Sequence, residues 1–152
     1  MKEKDFGNHG LFLTPFLFSR FHNCVVFHIN LTEGTCSFFS VTTNQSLSTK
    51  EKSVLLSDLS RECAELLGKS EEYIMVRLNL GENLCFAGTD APAAFGELFS
   101  IDLSDLETSP LSAHLCKLLG KKLTISADRI FLNFNDVPRD LWGWNGRTFA
   151  DG

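Results

Sequence analysis

Displacing the chain against itself by 56 residues brings Leu47 over Leu103, Ser48 over Ser104, Leu55 over Leu111, Leu59 over Leu115, Leu67 over Leu123, Ser70 over Ser126 and Ile74 over Ile130. A chain that repeats at this period is built from one supersecondary unit used twice. In the first copy Leu55, Leu59, Cys63, Leu66 and Leu67 recur at three- and four-residue spacing, with Lys50, Lys52, Asp58, Arg61 and Glu65 mainly between them. That period puts the apolar side chains on one face of a helix ending at Gly68. Leu111, Leu115, Leu118, Leu119 and Leu123 draw the same stripe in the second copy. Ser48 with Glu51, and Ser104 with Glu107, have the three-residue spacing at which two side chains satisfy orphan amides at a helix start. Pro110 lacks an amide hydrogen and suits a first turn, so the second helix starts either at Ser104 or at Ser109.

Strand-like runs flank each helix, at 36–43 and 73–80 around the first and at 95–101 and 129–136 around the second. The unit is β-α-β, and its two strands in one sheet are parallel with a right-handed crossover. The predicted fold class is α/β: a tandem, pseudo-twofold βαβ repeat giving a four-stranded, mainly parallel sheet with both helices on one face. Phe39, Val41, Ile74, Val76, Leu98, Ile130 and Leu132 supply more apolar alternation than two helices cover. A bare apolar sheet face calls for a partner copy, so a homo-oligomer is expected. At 142–149, Asn145-Gly146 is a hairpin signal, and its short strands pair either with each other or with a neighbouring subunit.

With 152 residues the chain suits one core, and its formal net charge of -5 offers no basic field for nucleic acid or an anionic membrane surface. Cys24, Cys36, Cys63, Cys85 and Cys116 are odd in number and form no CxxC or CxxH pair, which favours a reducing, cytoplasmic setting over a disulfide framework or a zinc site. The apolar stretch 11–18 is too short to cross a bilayer and contains Pro15. His9, His22, His28 and His114 have no carboxylate or cysteine at ligand spacing, and no phosphate loop or nucleophile elbow is present. No metal and no cofactor are expected.

Four ordered segments carry a resemblance: Gly68-Lys69 followed by Tyr73-Ile-Met-Val, Phe86-Ala-Gly-Thr-Asp-Ala-Pro92, Ser126-Ala-Asp-Arg-Ile-Phe-Leu-Asn133, and Trp142-Gly-Trp-Asn-Gly-Arg-Thr-Phe149. From Thr35 to about Ala150 the chain resembles the macrophage migration inhibitory factor and D-dopachrome tautomerase family. The resemblance implies a domain at 35–152 preceded by an extension at 1–34. It implies a homotrimer whose sheets form an inner barrel, with helices outside and pockets at the subunit boundaries. It also implies keto-enol exchange on small aromatic keto or enol acids such as phenylpyruvate or dopachrome. By the same resemblance some members also act as secreted cytokines toward a protein receptor or as chaperone-like binding proteins, leaving cells without a signal peptide.

The family's base is the amine of an N-terminal proline, and the resemblance puts that position at Thr35. A free α-amine titrates near pH 7.7 to 8.0, whereas the nitrogen of an internal Thr35 is an amide without a basic lone pair. An extended protein without the activity, a chain cut before Thr35, and a different first exon in place of a Met-Pro start all fit. By the same resemblance Lys69 grips a substrate carboxylate, Asn133 donates to a carbonyl or hydroxyl, and Ile101 presents a backbone amide and apolar surface. Phe131 stands where several relatives have tyrosine, and Tyr73, Trp142 and Phe149 line the mouth. Each has a plainer role too: Lys69 as a solvated lysine past a helix end, Ile101 as core, and Asn133 and the aromatics as packing. Where some members carry CxxC, Ala93-Ala-Phe-Gly96 stands here, which leaves thiol redox chemistry unsupported. The extension holds six phenylalanines, at 6, 12, 16, 18, 21 and 27, and is expected to pack loosely near the pocket entrance.

Overall fold

The computed structural model describes residues 35–103 and 106–151. What the sequence suggested for residues 1–34 and for Ser104 lies outside the described residues. Four strands, β1 (Ser37–Thr43), β2 (Ile74–Leu80), β3 (Ala94–Ser100) and β4 (Ile130–Asp136), alternate with two helices, α1 (Thr49–Leu67) and α2 (Thr108–Leu123). Short 3-10 turns at Glu71–Tyr73 and Ala127–Arg129 lead into β2 and β4, so the repeat extends to the connections. The sheet order is β2-β1-β3-β4. Each β-α-β unit contributes one parallel pair, and the two units meet antiparallel along β1 and β3.

Local chemistry accounts for the ends of α1. Ser48 Oγ accepts from the Glu51 amide, and the Glu51 carboxylate accepts from the Ser48 amide, completing the box. Gly68 at φ 64° closes the helix, and only glycine takes this left-handed turn without a steric cost. The second helix departs from the repeat at its start. Glu107 is its N-cap and makes no side-chain cap bond, and Pro110 sits in the first turn where its missing amide costs nothing. The second capping box therefore does not cap α2, which begins at Thr108, one residue before Ser109.

Both helices cover the same face. Leu55, Leu59 and Cys63 of α1 and Leu111, Leu115 and Leu119 of α2 pack on Phe39, Val41, Leu98 and Ile130. Fully burying such side chains contributes about 1.5–3 kcal/mol each. A β-carbon on Gly96 would lie 2.6 Å from Leu132 Cδ2 and 3.1 Å from the Phe39 ring, so β3 leaves there the room that Phe39 occupies.

The face left bare carries a different residue set from the one the alternation suggested. Phe39, Val41, Leu98 and Ile130 lie under the helices, and Ile74, Val76 and Leu132 pack against that core. Opposite them stand Phe38, Met75, Phe95, Phe99 and Phe131, interleaved with Arg77, Glu97 and Asn133. The reason is parity: in each strand one alternate set goes to the helices, and the other goes to the outside. Met75 and Phe131 are 67% and 58% exposed, so an apolar face remains uncovered within one chain. At the C-terminal end the hairpin pairs with itself: β5 (Gly143–Trp144) lies antiparallel to β6 (Arg147–Thr148), through Asn145 and Gly146 at φ 51° and 79°.

Candidate active site

A cavity of about 600 Å³ lies where the chain enters β1, and it opens on the bare side of the sheet. Cys36, Ser37 and Phe38 form one wall, and Phe99 joins them from β3. Tyr73, Ile74 and Met75 close it at the start of β2, with Glu72 beside them. Trp142 and Trp144 bring the hairpin over the remaining side, so the lining is largely apolar and aromatic. The mouth is held by ring contacts. Tyr73 meets Trp144 edge-on at 5.9 Å and Phe149 at 6.3 Å, while Trp144 and Phe149 stack at 6.0 Å.

Lys69 follows directly from the helix end. With Gly68 in the left-handed conformation, the Lys69 amide bonds back to the Ala64 carbonyl, and the side chain turns under the sheet instead of into water. It is 6% exposed, which rules out a solvated lysine. Its Nζ donates to the Ile101 carbonyl at 2.6 Å, to Ser100 Oγ at 2.7 Å and to the Cys36 carbonyl at 3.5 Å. Burial lowers its pKa to about 8, although Asp102 and Cys36 pull upward. Cys36 is shifted the other way, its thiol held above the usual range by burial against the pull of Lys69.

Burial of Lys69 makes the fold's stability pH-dependent. An unfolded lysine keeps its proton to about pH 10.4, so between pH 8 and 10.4 the unfolded state binds more protons and stability rises with pH. Below pH 8 both states are charged, and the folded state carries the full burial cost. Urea unfolding is expected to show a gain of roughly 2–3 kcal/mol from pH 8 to 10.4, and Lys69→Met is expected to remove that rise.

The structure divides the residues the sequence singled out. Tyr73 and Trp142 line the cavity, and Phe149 braces Tyr73. Ile101 is fully buried, and its amide donates to the Cys36 carbonyl at 3.2 Å, so that amide is committed within the chain and not presented to a ligand. Thr35 is fully buried and does not line the cavity; Cys36 and Ser37 do. The lining therefore begins one residue beyond the position assigned to the amine, at Cys36, and continues through Ser37. Phe131 and Asn133 lie on β4, across the sheet from the cavity-bearing β2 edge, and Phe131 packs edge-on against Phe86 at 4.7 Å. One chain does not bring them to the pocket. Phe38, Met75 and Phe99 were missed as lining residues, though their alternation with the buried set along each strand was a readable signal.

Among the described residues no group of three or more His, Cys, Asp and Glu could hold a metal, and no helix is long and apolar enough to cross a membrane. His114 faces Glu62 at 2.8 Å between the helices.

Two parallel β-α-β units joined antiparallel, with an aromatic hole beside a buried lysine, make up the fold and its candidate site. Residues 36–150 match the macrophage migration inhibitory factor family, and the chain belongs to it. A homolog of that factor from Trichuris trichiura is 40% identical over 95 residues, covering 62% of this chain and 83% of the relative. The Trichinella spiralis homolog is 38% identical over 114 residues, covering 73% and 97%. The crystal structure of the Prochlorococcus marinus homologue superimposes with a TM-score of 0.69 at 39% identity, covering 74% of this chain and 98% of the other.

Proposed function

We propose that this chain binds small aromatic keto or enol acids of the phenylpyruvate or dopachrome type and interconverts their tautomers slowly. The observation that carries the reading is the aromatic cavity whose inner end abuts the buried Lys69 network through Cys36 and Ser37. Aromatic walls take the aryl ring, and a cation near the closed end favours a carboxylate and developing enolate charge. Lys69 acts from behind the floor through the groups it touches. The rate is low because the nitrogens of residues 35 to 37 are peptide-linked, which withholds the amine that serves relatives as base.

The same reading makes the protein a trimer. The cavity opens on the uncovered face, and Phe131 and Asn133 sit on the far edge, so a neighbouring copy would bring its β4 edge to the pocket. Asn133 would then donate to the substrate's oxygen, and the Phe131 ring would stack without the hydroxyl that a tyrosine offers. A binding role toward a protein receptor is the second reading, favoured by the peptide-linked floor, and the two divide on turnover. Free thiols at Cys36, Cys63, Cys85 and Cys116 suit a cytoplasmic location, with release by a signal-peptide-independent route.

Trp142 and Trp144 report occupancy directly. Phenylpyruvate is expected to quench their fluorescence saturably, and Tyr73→Ala, which removes one wall and the support for Trp144, is expected to weaken binding about tenfold. Absence of saturable quenching in the unaltered protein would refute the pocket reading.

A further inference from the structure

The loop between β2 and β3 is mostly exposed, yet it is held more tightly than an exposed connection requires. Phe86 and Thr89 close a turn, the Phe86 amide donating to the Thr89 carbonyl at 2.9 Å and the Thr89 amide to the Phe86 carbonyl at 3.1 Å. Ala87 and Gly88 between them take φ 53° and 75°, and a residue other than glycine keeps such a conformation only where its surroundings enforce it. Asn44 ties down the end of the loop. Its side chain donates to the Asp90 carbonyl at 2.9 Å and the Ala91 carbonyl at 3.1 Å, and accepts from the Ala93 amide at 2.9 Å.

Arg129 holds the same loop from the start of β4. Its Nε donates to the Pro92 carbonyl at 2.7 Å, and one terminal nitrogen donates to the Ala91 carbonyl at 2.9 Å and the Phe86 carbonyl at 3.4 Å. The guanidinium also lies over the Phe86 ring, 5.1 Å from its centre. Phe131 meets that ring edge-on at 4.7 Å. The arginine therefore fixes Phe86, and Phe86 braces Phe131. Phe131 stands on an edge strand and is 58% exposed, a setting in which an unsupported ring exchanges freely between rotamers.

We propose that Phe86 and Arg129 are positioning residues, which hold the Phe131 ring in the orientation in which it walls the pocket of a neighbouring copy. This rests on the trimeric reading above, in which β4 reaches that pocket. A ring already held in place gives up little rotamer freedom when an aryl acid stacks on it, so more of the contact appears as affinity. Leucine at position 86 would fill space without offering a flat face to the guanidinium or to Phe131. Lysine at position 129 would keep the charge and lose the planar fork that bonds the carbonyls and stacks at once.

Full-length chains are compared by sedimentation velocity and by phenylpyruvate quenching of tryptophan fluorescence. Phe131→Ala is expected to raise the quenching midpoint about tenfold, Phe86→Leu about fivefold and Arg129→Lys about threefold, with all three still trimeric. Phe86→Tyr, which keeps the ring, is expected to stay within twofold of the unaltered chain. The decisive comparison is Phe86→Leu made on the Phe131→Ala background. There it is expected to add less than twofold, because a brace has no effect once the ring it supports is gone. A loss that persists undiminished on that background, an unchanged midpoint in Phe86→Leu, or a Phe86→Leu or Arg129→Lys chain that sediments as a monomer would each overturn the positioning role and leave the trimeric pocket standing. A Phe131→Ala trimer with an unchanged midpoint would instead take Phe131 out of the pocket, and both the inference and the cross-subunit reading would go with it.

Discussion

A version of this protein that starts at residue 37, with proline in place of Ser37 and the initiator methionine removed, is expected to enolise phenylpyruvate about 100-fold faster or more than the full chain. The physical difference is one lone pair. In the full chain the nitrogen of residue 37 is an amide, whereas a terminal proline there presents a secondary amine on the cavity floor. The Lys69 network lies next to that point, and burial beside a cation keeps such an amine neutral near physiological pH. The shortened chain keeps the apolar cluster under the helices, which is built from Phe39 onward, and gives up the buried Thr35 and Cys36. A version that starts at residue 35 with Thr35→Pro instead is expected to gain far less, because residue 35 is buried away from the cavity. Progress curves on three proteins, each with its first residue confirmed by intact mass, decide the matter. Equal rates in the full chain and the shortened Ser37→Pro protein would show that the internal linkage is not what limits turnover.

Phe95→Asp is expected to split the proposed trimer of three 17.0 kDa chains into monomers, weakening association at least about 100-fold. Phe95 stands on β3 in the middle of the uncovered face, in register with Phe131, and it does not line the cavity. A carboxylate placed there would be buried against a neighbouring copy without a partner, and it would cost almost nothing in an isolated chain, where the site is 37% exposed. The variant is therefore expected to fold, to sediment as a single chain at micromolar concentration, and to lose affinity for phenylpyruvate, since the neighbour's Phe131 and Asn133 leave with the interface. Sedimentation velocity and tryptophan quenching on the same sample check both. A variant that stays trimeric would place the contact surface elsewhere on the molecule.

Much of the architecture was legible because local rules and the tertiary fold agreed. Leu55, Leu59 and Cys63 recur at helical spacing because they meet a flat sheet, and Ser48 and Glu51 cap α1 through bonds that close within four residues. The second helix starts later than the repeat alone would place it, since α2 takes Glu107 as its N-cap and carries Pro110 within its first turn. The site was legible only where a residue's role follows from its own segment. Tyr73, at a strand start, lines the cavity, while Lys69, just past a helix end, is buried behind it and bonded to Ser100 and Ile101. Ile101 and Thr35 are also buried outside the lining, because whether an amide is committed or a residue reaches a cavity depends on a strand far away in sequence.

The sequence by itself determined the repeat, the two β-α-β units, the helix faces and the family, because these follow from periodicity and from motifs carried within continuous segments. Only the tertiary structure decided which alternate residues of each strand face outward, that the two halves meet antiparallel, and that Ser37, Ser100 and Lys69 join in one line of hydrogen bonds. Those outcomes depend on pairing between segments about sixty residues apart, and a period-two pattern reads the same whichever face the helices choose.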